Sequence, residues 1–101
     1  MSCVTNVILK TAVNEETGIT ALNALFESRF MSCDDKFVRP PGWYAGSKML
    51  ECEIYPGAFN FLKLDDLVAA IQNVTWRNPK AVQLFIQEQD ECRFHEVILN
   101  V

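Results

Sequence analysis

Ile19, Leu22, Leu25, Phe26 and Phe30 recur at spacings of three, three, one and four, while Thr20, Asn23, Glu27 and Ser28 fall on the other side. Leu64, Leu67, Val68, Ile71 and Val74 repeat that stripe in the stretch AFNFLKLDDLVAAIQNV. Apolar residues three and four apart share one face of a helix. Two helices that are apolar on one side only must each cover a partner layer, and this requirement constrains the fold more than any other feature.

The remaining segments supply that layer. Residues 4–13 are rich in Val, Ile, Leu and Thr and read as a strand, broken by the polar residues 14–18. In residues 49–55, Leu50, Cys52 and Ile54 alternate with Glu51, Glu53 and Tyr55, the period of a half-buried strand, and Pro56-Gly57 should end it. Asp65 and Asp66 stand in the first turn of the second helix, where the helix dipole favours acids, and Pro79 bars continuation past Asn78. Residues 82–88 and 93–101 read as two closing strands, with Gln89, Asp90 and Glu91 between them as a hairpin turn. A short extended piece is expected at residues 36–39.

The order β-α-β-α-β-β predicts an α+β fold of one compact domain over residues 1–101, with two helices packed on one face of a four-stranded mixed sheet and a C-terminal β-hairpin. If the first two strands are parallel neighbours, the helical crossover between them is right-handed. The opposite sheet face should then carry Glu51, Glu53, Tyr55, Gln83, Phe85 and Gln87.

Composition narrows the class. Half of the 101 residues are apolar and 22% are charged, which suits a folded domain and excludes a disordered one. Apolar runs such as residues 67–71 are too short to span a membrane, and MSCVTNVILK lacks the pattern of a signal peptide, so a cytoplasmic protein is expected. The four cysteines, Cys3, Cys33, Cys52 and Cys92, form no C-x-x-C pair and share the chain with a single histidine, His95. That pattern predicts thiols behaving as small hydrophobes, and neither a metal site nor a disulfide framework.

The net charge of −4 is unevenly placed. Residues 51–101 hold Lys63, Arg77, Lys80 and Arg93 against Glu51, Glu53, Asp65, Asp66, Glu88, Asp90, Glu91 and Glu96. Such an excess repels phosphate backbones and disfavours direct nucleic-acid binding, so a binding partner is expected to be a basic protein.

Catalytic patterns are weak. Glu51 and Glu53 could share acid–base work with Glu88 or Glu96, and His95 could activate the Cys52 thiol, but alternating glutamates are also how a solvated strand face looks. Gly18, Gly42, Gly46 and Gly57 make no phosphate-binding pattern, and no cofactor is implied. Trp76, with Arg77 and Lys80 near a helix end, reads as a ring packed over the sheet edge. The stretch RPPGWYAGSKMLECEIY is different: Arg39, Trp43 and Tyr44 belong to the residue types most enriched at binding hot spots, and the two prolines stiffen their loop.

These features predict a non-enzymatic, acidic protein-binding module, of the inhibitor or immunity type, that neutralises a basic protein. Its contacts should come from Arg39, Trp43, Tyr44, Glu51, Glu53 and Tyr55. An alternative is a homodimeric domain with a structural or small-ligand-binding role, joined through Phe85, Tyr55 and the apolar end VILNV. A third is a small enzyme built on Glu51, Glu53 and His95.

Overall fold

A computed structural model describes residues 3–26, 30 and 51–101 of the chain. Four strands and two helices follow in the order β1 (Val4–Thr11), α1 (Glu16–Phe26), β2 (Glu53–Asn60), α2 (Leu64–Asn73), β3 (Gln83–Glu88) and β4 (His95–Val97). A 3₁₀ turn, Pro79–Ala81, leads into β3. The predicted α+β class is therefore the observed one. The strands form one sheet in the order β2-β1-β3-β4, antiparallel throughout instead of mixed. The expectation for a parallel first pair fails because β2 runs back along β1 from Asn60 opposite Val4 to Glu53 opposite Thr11.

The chain's first strand occupies the centre of the sheet, and its burial alternates strictly. Thr5, Val7, Leu9 and Thr11 are buried while Val4, Asn6, Ile8 and Lys10 are half-buried. Leu84 and Ile86 of β3 continue the buried face beside Leu9 and Val7. These side chains join Ile19 and Leu22 of α1 and Leu67, Ala70 and Ile71 of α2 in a single core cluster. Each fully buried Leu or Ile there contributes roughly 1.5–3 kcal/mol of transfer free energy.

Leu25 departs from the predicted stripe and is 57% exposed. At about 100° per residue, Ile19, Leu22 and Phe26 fall within a narrow arc, whereas Leu25 lies well outside it. Phe30 is buried as the stripe implies. The Asn23 side chain holds it there, accepting from the Phe30 N–H at 3.0 Å and donating to its carbonyl at 3.2 Å.

Strand β2 differs most from expectation. It begins at Glu53 and passes straight through Pro56-Gly57 to Asn60. Phe61 donates its N–H to the Cys3 carbonyl at 2.9 Å, one pair beyond the ladder. Bonded and unbonded pairs alternate in an antiparallel ladder, so Tyr55 and Gly57 are bonded to β1 and Pro56, opposite Ile8, is not. The proline nitrogen faces away from β1, on the side where β2 is the edge strand among the described residues, so its missing N–H removes no bond of the β1–β2 ladder. Gly57 sits under a close aromatic cover. A Cβ there would lie 3.1 Å from Cε2 of Phe59 and 3.7 Å from Cε1 of Phe30, whose rings cover the strand at that point.

The remaining strands are shorter than predicted. β3 and β4 form the expected C-terminal hairpin, but β4 is only His95–Val97. Beyond it the chain crosses toward α2, where the Asn100 N–H donates to the Gln72 side chain at 2.9 Å. None of the described helices is long and apolar enough to cross a membrane.

Candidate functional site

The register of β2 settles where two predicted contact residues lie. Tyr55 stands opposite buried Leu9 and is only 4% exposed, in the core and not on the outer face. Glu53, opposite Thr11, shares that inward side and is half-buried. The correction has a simple cause. Over residues 49–55 the apolar partner of the alternation is Ile54, but over the true strand the inward set is Tyr55, Gly57 and Phe59, two of them large aromatics. Glu51 lies just before β2 and is exposed. Arg39, Trp43 and Tyr44 lie outside the described residues. Gln83, Phe85 and Gln87 do occupy the outer face, where Asn6 donates to Gln87 and Gln83 donates to Glu96, each at 3.0 Å.

The residues weighed for catalysis are not brought together. Cys52 and Glu53 belong to the β2 edge of the sheet and His95 to the β4 edge. Three inter-strand steps of about 4.8 Å separate those edges, far beyond a hydrogen bond. His95 instead faces Glu91, with Nδ1 3.7 Å from its carboxylate. Cys3 and Cys92 are exposed and Cys52 is half-buried, each a free thiol. Among the described residues no group of His, Cys, Asp and Glu is arranged to hold a metal ion.

Two structural devices were not visible in the sequence. Glu15 caps α1 with its carbonyl, which accepts from the Ile19 N–H at 3.0 Å. Its carboxylate, 1% exposed, accepts from the N–H groups of Arg77 and Asn78, each at 2.9 Å. One buried side chain thus ties the start of α1 to the segment after α2. Beside it, Trp76 donates its indole N–H to the Ile71 carbonyl at 2.9 Å and closes the end of α2. The indole lies directly over Gly18, where a Cβ would come within 2.6 Å of Cε3. Trp76 is therefore a core residue, as the sequence suggested, but it packs between the helices.

The opposite end of the sheet has another character. There β1 begins, β2 ends and β3 ends, since Val4 pairs with Asn60 and Thr5 with Glu88. The hairpin turn is held by its own acids. Glu91 donates its N–H to the Glu88 carbonyl and accepts from the Glu88 N–H, both at 2.9 Å. Thr5 donates its hydroxyl to Glu88 at 3.0 Å. From Asn60 the chain turns through Phe61 and enters α2, which brings Asp65 and Asp66 to the same end. Among the described residues this end collects Asp65, Asp66, Glu88, Asp90 and Glu91 against Lys63 and Arg93. The far end holds Glu15, Glu16, Glu51 and Glu53 against Lys10, Arg77 and Lys80, and Glu15 there is buried.

Phe61 is the outlier of the acidic end. Its φ of 53° is left-handed, a region costly for a bulky side chain, and it is 67% exposed. The turn from ladder to helix imposes this backbone, and glycine or asparagine would meet it more cheaply. Beside Phe61 a cleft of about 260 Å³ is walled by Phe26, Phe59 and Leu62, with Lys63 and Asp66 on its rim. Phe26 and Phe59 meet edge to face there, ring centres 6.1 Å apart. No family model, curated protein or solved structure matches this chain, so the chemistry of the site rests on its own residues.

Proposed function

We propose that this chain is a small acidic binding module that works by occupying a basic protein, as an inhibitor or immunity-type protein does. One observation carries the reading: among the described residues, five exposed carboxylates outnumber two cations at one end of the sheet, which also holds an exposed phenylalanine and an apolar cleft. A one-signed field at one end accelerates encounter with an oppositely charged surface, by up to about a thousandfold at low salt. An apolar patch within such a field supplies the desolvated contact that holds the complex. Arg39, Trp43, Tyr44 and Glu51 remain proposed contacts on sequence grounds.

The test is capture from native lysate at low and moderate salt, comparing wild type with Asp65→Asn/Asp90→Asn. A basic protein retained by the wild type, and released by salt or by loss of the two charges, supports the reading. Retention that ignores both changes, or capture of neutral proteins only, defeats it.

A second reading, self-association, is favoured by the β4 edge. Alternation of bonded pairs leaves the main-chain groups of Glu96 pointing away from β3, and Ile98 just beyond is 78% exposed. A monomer at micromolar concentration in light scattering would dismiss it.

A further inference from the structure

We infer that the cleft beside Phe61 seats an apolar side chain of the partner next to a lysine or arginine of the same segment. The inference rests on the acidic-module reading and adds to it the partner's local chemistry. The cleft, of about 260 Å³, lies at the small end of binding pockets, and one or two side chains fill it. Its walls are phenylalanine and leucine, which favour an apolar occupant. Asp66 and Lys63, one charge of each sign, line the cleft, so the bias toward a cation comes from the other described charges of this end, where Asp65, Glu88, Asp90 and Glu91 outnumber Arg93. The exposed face of Phe61 adds a surface on which a guanidinium can stack.

The backbone at Phe61 supports the same conclusion independently. A left-handed conformation is paid for in folding stability whenever the residue is neither glycine nor asparagine, and here the aromatic ring gains little burial in return. An aromatic side chain that stands in this backbone and is 67% exposed is placed for contact with another molecule.

The experiment titrates the isotope-labelled chain, followed by NMR, with three blocked hexapeptides: alternating leucine and arginine, alternating alanine and arginine, and alternating leucine and glutamate. Leucine–arginine should shift the amides of residues 60–66 and Phe26 at about millimolar concentration or below. The other two peptides should bind about tenfold more weakly. Phe61→Gly should weaken the leucine–arginine peptide by about tenfold while melting no lower than wild type, which separates a contact role from a structural one. Asp66→Asn should weaken it by a smaller factor.

Other outcomes overturn the inference in distinguishable ways. If alanine–arginine binds equally well at the acidic end, the basic-partner reading stands and the cleft loses its role. If leucine–glutamate binds equally well in the cleft, the seat is apolar only and the basic-partner reading falls with the inference. Shifts at Phe61 that grow with protein concentration and no peptide would assign the cleft to a second copy of the chain. Absence of any shift with all three peptides would overturn both readings.

Discussion

Glu15 shows how much one side chain can organise. Its carboxylate bonds two main-chain N–H groups that lie 62 and 63 residues away. Glu15→Ala should cost about 2–4 kcal/mol, since both charge-assisted bonds go, and Glu15→Gln should recover part of that because one acceptor oxygen remains. Urea denaturation of the two variants checks the order. In the sequence Glu15 looks like any polar loop residue, and no local signal could mark it, because its partners are backbone groups brought near only by the fold. Gly18 was equally silent. Gly18→Ala should lose about 1–3 kcal/mol because the new methyl meets the Trp76 ring, and the loss should shrink when Trp76→Phe makes room beside it. Thermal melts of the single and double variants measure the coupling.

The elements were legible to different degrees. Both helices could be read because their apolar residues repeat with one period over two turns or more, and the central strand because it is rich in Val, Ile, Leu and Thr. β2 could not, since its alternation changes meaning once residues 56–60 are included, and a Pro-Gly pair that ordinarily ends a strand sits inside it. What makes Pro56 tolerable is its place on an edge, and strand order is not written in local sequence. That placement also shields the edge. Pro56→Val restores an N–H on the open side and should raise self-association, visible as a larger scattering mass at equal concentration with an unchanged circular dichroism spectrum. An unchanged mass would mean that other residues guard the edge.

The acid excess of the second half was readable from composition, but its collection at one end was not. That depends on the antiparallel return of β2 and on the β3–β4 hairpin turning at the same end of the sheet as the start of α2. The expected contact residues followed the same limit: Glu51 is exposed as supposed, Tyr55 lies in the core, and Phe61 was overlooked because its singularity is a backbone angle. For the whole molecule, Asp65→Asn/Asp90→Asn should slow association with a captured basic partner by about tenfold at low salt and flatten the salt dependence. Folding stability should change by about 0.5–1 kcal/mol, most of it from Asp65 leaving the first turn of α2. Stopped-flow mixing at two ionic strengths reads the first effect and urea titration the second.

The position of β1 bears on how the protein comes to exist at all. It is made first and sits in the middle, yet its neighbour β3 lies 83 residues later at the Thr5–Glu88 pair. At about 5–20 residues per second, a ribosome extends the chain for several seconds between those two segments. Until β2 has been made VTNVILKT has both flanks unsatisfied, its other flank then stays open until β3 follows, and half its side chains are apolar. Native pairing of this kind is slow to nucleate, because distant segments must meet before any contact repays the lost chain entropy. The nascent protein therefore carries its central strand open on at least one side until β3 emerges, and its yield in the cell should depend on chaperone supply more steeply than its size suggests.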